Sequence, residues 1–212
     1  MKFLSLFALA AQAVSAALLP IEARGQLMAR ECYPGEIQTL FCYKRGQGTP
    51  QNVEVNDIAA AASALRQWGM EWREKLDQNG NPVFDDNGLS IEEPFYRYLE
   101  MNTTTAPNCG EWTIFRVRSV LVAAKLMVRR KNAVVWYNDI ANAIDGGEFA
   151  SDADKKAAII GCGTDGGSRE VKATVAHEAY DPYRAAFNDG TKSPTDIVIK
   201  IVEDIDWKNA QD

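Results

Sequence analysis

Four cysteines placed behind a leader-like N-terminus constrain this chain more than any other feature. Met1-Lys2 gives a positive start, Phe3 to Ala13 is an apolar run too short to span a bilayer, and Val14-Ser15-Ala16 is a small-x-small cleavage pattern. Residues 1–16 are therefore expected to be a signal peptide. The rival, an N-terminal core helix, would have no need of the small-residue end. An even number of cysteines in an exported chain reads as disulfides. Cys32, Cys42, Cys109 and Cys162 are expected to form two bridges, with all three pairings open. A zinc site is the competing use of these residues. There is no C-x-x-C pair, and the single histidine, His177, does not sit at ligand spacing.

Loss of the leader leaves roughly 196 residues, enough for one domain with a real core. Residues 17–31 are poor in large apolar groups and carry Arg24 and Arg30, so they are expected to be an N-terminal arm or a short pro-segment. Residues 32–212 are then a single secreted domain. No later stretch reaches about 18 uncharged apolar residues, so no integral membrane segment is expected. The formal net charge of −6 gives no pull toward phosphate backbones, which argues against a nucleic-acid partner. Arg129-Arg130-Lys131 is a local exception, expected to be the solvated end of an element.

The periodicity changes along the chain. Thr39 to Tyr43 has strand composition. Ile58, Ala62, Leu65, Trp72 and Leu76 recur at helical spacing, with Asn56 as N-cap. Trp68 and Trp72 are expected in the core at that spacing, the competing reading being that they line a ligand groove. Asp77 to Ser90 is turn-rich and fails the EF-hand template, so it is expected to be a surface insertion or long hairpin connection. Pro94 to Met101 is expected to be a short helix. Glu111 to Arg118 is expected to be a strand covered on both sides, and Val120 to Val128 a helix. Ala133 to Tyr137 is β-rich, Asn138 is expected to cap a helix, and Gly146-Gly147 to end it. Ser151 with Asp154 resembles a capping box. Ile159 to Cys162 and Arg169 to Ala176 are expected to be strands joined by a Thr164–Gly167 hairpin turn, and Asp196 to Val202 a last strand. Tyr137-Asn-Asp-Ile-Ala141 echoes Val55-Asn-Asp-Ile-Ala59, which is read as a shared helix-start signal rather than a duplication.

No reaction centre stands out. A two-histidine mechanism is excluded, no G-x-S-x-G precedes His177, and the thiols are expected to be oxidised. His177 is expected to be a surface or hydrogen-bonding residue. Glu92-Glu93, Asp85-Asp86 and Asp204 with Asp206 are paired carboxylates, yet nothing marks a glycosidase pair among them. Gly161-Cys-Gly-Thr-Asp-Gly-Gly matches no phosphate-binding loop. No catalytic residue, cofactor or metal ligand is assigned. Asn102-Thr103-Thr104 is a glycosylation sequon, so Asn102 is expected to carry a glycan on an exposed loop.

The order of motifs does carry a resemblance. A cysteine near the start, Asn56-Asp-Ile-Ala, Gly110-Glu-Trp-Thr-Ile, Tyr137-Asn-Asp-Ile-Ala-Asn-Ala-Ile-Asp and Ile159-Ile-Gly-Cys-Gly together resemble the fungal secreted Ecp2-type (necrosis-inducing factor) effector domain. They are more distantly similar to the KP4 killer-toxin fold. The resemblance spans Cys32 to Val175. It departs from the family in its longer Asp77–Thr105 segment and in its cysteine placement. It implies a disulfide-stabilised α+β fold, an antiparallel sheet with helices packed on one face. It also implies an extracellular virulence factor, cell-death inducer or antagonistic toxin that binds a host or competitor protein or glycan, with later entry into a host cell compatible with that role. The alternative class is a secreted carbohydrate-active enzyme or cell-wall-binding protein. A cleft lined by two facing carboxylates and exposed tryptophans would favour the alternative, and buried Trp68, Trp72, Trp112 and Trp136 the first.

Overall fold

The computed structural model describes residues 39–102, 111–127 and 132–210. The signal peptide, the 17–31 arm, Cys32, Cys109, the sequon threonines and Arg129-Arg130-Lys131 lie outside the described residues.

The fold is α+β. Its main sheet has the order β1-β8-β10-β6-β5, formed by Phe41–Cys42, Gly167–Glu170, Ile197–Glu203, Val120–Leu126 and Glu111–Val117, with every pairing antiparallel. Helices α1 (Val55–Gly69) and α2 (Tyr137–Asp145) pack side by side on one face. Val120, Val122, Ala124 and Leu126 of β6 and Ile197, Ile199 and Ile201 of β10 meet Ile58, Ala62 and Leu65 of α1 and Ile140 and Ile144 of α2. These side chains are essentially dry, and each Val, Ile or Leu among them contributes about 1.5–3 kcal/mol of burial. Arg66 of α1 clamps Asp145 of α2 at 2.9 and 3.1 Å and reaches Asn142 at 3.1 Å, which locks the helix pair at one end. On the reverse face Ala123, Lys125 and Val198 are buried along the middle of the sheet, while Glu111, Thr113 and Arg116 of the edge strand β5 are exposed, so β5 lacks the cover on both sides expected of it.

Burial on both faces explains one departure. Val120–Leu126 is a central strand, not a helix. A strand covered on both sides loses its alternation, and its two alanines then imitate helix composition. The Pro94–Met101 helix is also overturned. This stretch lies in β3 (Glu92–Tyr96) and β4 (Tyr98–Met101), broken at Arg97, as its aromatic content suits. Beside β4 run β7 (Asn132–Trp136) and β9 (Lys192–Ser193), with β7 and β9 parallel.

Two strand expectations fail around Cys162. Ile159–Asp165 forms 3-10 turns kinked at Gly163, and only Gly167–Glu170 is strand. No hairpin forms, because the carbonyls of Thr164 and Asp165 accept from Val53 and Gln51, ahead of α1. The helix starts differ as well. Helices α1 and α2 begin at Val55 and Tyr137, and neither Asn56 nor Asn138 caps them. The capping box at Ser151 is present, opening α3 (Asp152–Lys156).

Gly146 ends α2 at φ 93°, its N–H donating to Asn142. A Cβ there would lie 2.9 Å from the Asp154 backbone. Gly146→Ala combines left-handed strain with that clash, so it is expected to cost roughly 1–3 kcal/mol in urea unfolding.

A two-stranded arm projects from the body. β2 (Met70–Glu74) follows α1 without a linker and pairs with β3, Trp72 opposite Pro94. Beyond it the chain makes two successive loops eight residues apart. Asp77 accepts from the N–H groups of Asn79 and Asn81 at 2.8 and 2.9 Å; Asp85 does the same for Asn87 and Leu89 at 2.9 and 2.8 Å. Gly80 and Gly88 supply the positive φ. Lys75, Val83 and Ile91 close a ring of backbone hydrogen bonds, each donating to one and accepting from another. The insertion expected here is thus an ordered three-hairpin hub.

Candidate functional site

The arm's root is where the sequence places its most informative groups. At Gly69, the last residue of α1, a Cβ would sit 2.9 Å from the Cβ of Tyr137, so the position needs glycine. The Gly69 carbonyl accepts from Arg97 N–H at 2.9 Å and from Trp136 Nε1 at 2.8 Å, tying helix, arm and β7 at one point. That geometry leaves a concave groove of about 550 Å³ lined by Gln67, Trp68, Glu71, Arg97, Ile114 and Phe115. The volume falls within the usual range of small-ligand or anchor-residue pockets. Ile114 and Phe115 sit at an irregularity in β5, between Thr113 and Phe115, on the edge of the main sheet.

The groove's polar groups are fixed before anything binds. Arg97 donates from Nη1 to the Trp68 carbonyl at 2.7 Å and from Nη2 to the Glu71 carboxylate. Its guanidinium lies 5.5 Å from the Trp68 ring centroid and 5.8 Å from that of Phe95. Arg73 stacks on Phe95 at 3.5 Å and also donates to Glu71. Hydrogen bonds from Arg73, then from Arg97, hold the Glu71 carboxyl below its ordinary range. Glu71 is therefore an anion at neutral pH and cannot serve there as a general acid. The arrangement offers an apolar floor, a half-open indole and an oriented cation, which suits binding an apolar group with a polar edge.

The tryptophans divide. Trp136 is buried and Trp112 packs half-buried against the core. Trp68 is 44% and Trp72 60% exposed, so the core placement of these two is overturned. The helical stripe passes through Leu65 and ends at Gly69 rather than Trp68; the chain turns into β2 at Met70, and the apparent periodicity beyond is coincidental.

His177 is a structural residue. Its Nδ1 accepts from Ala179 N–H at 3.1 Å and its ring lies 4.8 Å from that of Trp136. Around it Tyr96, Tyr98, Trp136 and Tyr180 form a second apolar cluster. Burial, with Glu178 beside it, pushes the Tyr96 hydroxyl up to about 12; burial, with Asp181, does the same for Tyr98. These phenols stay neutral donors. Asp204 and Asp206 both pair with Arg116, and Asp204 caps α4 (Ile205–Asn209). Glu92 and Glu93 lie on the arm and Asp85 serves its loop, while Asp204 lines a cavity of about 250 Å³ with Glu54, Glu203 and Trp207.

Of the four cysteines, Cys42 and Cys162 are joined. Asn102 follows β4 directly and is half-buried. Among the described residues no cluster of three or more His, Cys, Asp or Glu could hold a metal ion, and no helix is long and apolar enough to cross a membrane. The feature that sequence reading missed is Arg97; the groove placement of Trp68 is the competing reading at that position. Comparison of the chain with protein-family models, with curated proteins and with solved structures returns no match.

Proposed function

We propose that this chain is an exported binding protein of the effector or toxin kind, acting on a host or competitor rather than by catalysis. One observation carries the reading: a pre-formed apolar groove opens at the root of an arm whose own apolar side chains face solvent. Groups fixed in advance lose little freedom on binding, which favours recognition. The leader, the disulfide and the order of the Ecp2-like motifs support the same reading. The test applies purified mature protein to plant leaf tissue and to competitor fungal cultures and scores cell death or growth arrest. Wild-type protein is expected to act. Trp68→Ser, with an unchanged melting temperature, is expected to need about 30-fold more protein, the weight of an anchoring tryptophan. No response to wild-type protein at any dose, or full potency of the variant, would refute the proposal.

The exposure of Trp68 and Trp72 favours a second reading, a wall-polysaccharide binder. Retention on insoluble chitin or β-glucan, abolished by Trp72→Ser, distinguishes it.

A further inference from the structure

The arm itself carries a recognition chemistry different from that of the groove. Six of the eleven large apolar side chains exposed among the described residues fall on it: Trp72, Leu76, Phe84, Leu89, Ile91 and Phe95. An apolar surface gathered on one projection marks an interaction site. The same stretch, residues 70–96, holds seven acidic and two basic residues, against −6 for the whole chain. Both bases are engaged within the arm, Arg73 with Glu71 and Lys75 with Glu93 at 3.9 Å. Glu74, Asp85, Asp86 and Glu92 have no ion-pair partner among the described residues.

We infer that the arm docks a basic protein surface bearing apolar side chains, a step that rests on the reading of the chain as a binding protein. Its acids supply long-range attraction and its apolar residues the contact. Arm-to-arm pairing of two copies is disfavoured, because two acidic arms repel. A glycan fits less well: Leu76, Leu89 and Ile91 have neither a flat face for a sugar ring nor a hydrogen-bonding group. The ring of hydrogen bonds through Lys75, Val83 and Ile91 and the two aspartate loops hold these side chains in place without help from the body.

The test uses the mature protein and three immobilised synthetic peptides, alternating Lys-Leu, Lys-Ser and Glu-Leu, with chitin and β-glucan beads alongside. Binding is expected to Lys-Leu alone. It is expected to weaken at least tenfold between about 0.05 and 0.5 M NaCl, where screening removes long-range attraction. The triple variant Trp72→Ser, Leu76→Ser, Phe84→Ser and the triple variant Asp86→Asn, Glu92→Gln, Glu93→Gln are each expected to lose tenfold or more. So is a chain in which residues 72–94 are replaced by Asn-Gly, a turn that can join the paired Glu71 and Phe95. Trp68→Ser is expected to bind Lys-Leu normally. Equal binding of Glu-Leu, arm variants matching wild type, or retention on polysaccharide alone would overturn the assignment. Cell killing without Lys-Leu binding would sink the arm's role and leave the groove's; Lys-Leu binding without any cell response would do the reverse.

Discussion

Replacing Cys42 and Cys162 together by alanine is expected to lower stability by about 3–5 kcal/mol, a fall of roughly 6–20 °C in melting temperature for a domain of this size. The bridge spans 120 residues of sequence, so its loss frees a long loop in the unfolded chain. It also acts where the ladder is weakest. β1 has two residues and pairs with β8 only at Phe41↔Ser168 and Cys42↔Gly167. Gly167 is required beneath the bridge, since a Cβ there would lie 2.6 Å from the Phe41 carbonyl oxygen and 2.9 Å from the Cys162 sulfur. Calorimetry of the double variant, and of wild-type protein with and without reductant, measures the effect. An unchanged transition would show that the edge strand holds itself.

The second large effect is expected at Asp139. Its residue is 1% exposed, and its carboxylate accepts from Thr174 N–H at 3.1 Å, Thr174 Oγ1 at 2.8 Å and the Tyr180 hydroxyl at 2.7 Å. Tyr180 in turn accepts from Trp136 N–H at 2.9 Å, so the cluster links α2, the chain after β8 and the second apolar cluster. Asp139→Ala leaves three donors without an acceptor and is expected to cost about 3–5 kcal/mol. Asp139→Asn is expected to cost nearly as much, because every partner is a donor and the new amide turns a donor of its own toward them. Urea unfolding gives the magnitude, and amide exchange at Thr174 should rise in both variants. A loss under about 1 kcal/mol, or rescue by asparagine, would contradict this account.

Asp139 also explains the echo between the two helix starts. Asp57, at the same place in α1, accepts from Ser119 N–H at 3.2 Å and Ser119 Oγ at 2.7 Å. In each helix the first-turn acid is buried and takes both the backbone and the hydroxyl donor of one distant Ser or Thr. The motif Asn-Asp-Ile-Ala was legible as a helix start, because acids favour the first turn. Its actual use was not, because the partners at Ser119 and Thr174 are remote and nothing local announces them. The same division runs through the fold. The last strand, the capping box at Ser151 and the glycine stop at Gly146 depend on neighbours in sequence, and the chain displays them openly. The strand at Val120 and the turns at Ile159 depend on what lies above and below them. The groove depends on Gly69 meeting Tyr137, which brings Trp68 of one helix beside Arg97 and β5. Only the folded chain makes that juxtaposition.

The body closes beneath the arm at Gly69 and Arg97, and the arm's hub is held by its own backbone. Substitutions beyond Trp72 and Pro94 therefore leave the packing below undisturbed. On the proposed reading, a lineage whose target alters its surface can follow with changes confined to this stretch, as a tool handle accepts a new blade. Rapid divergence at positions 76–91 beside near-constant helices is the evolutionary signature such an arrangement permits.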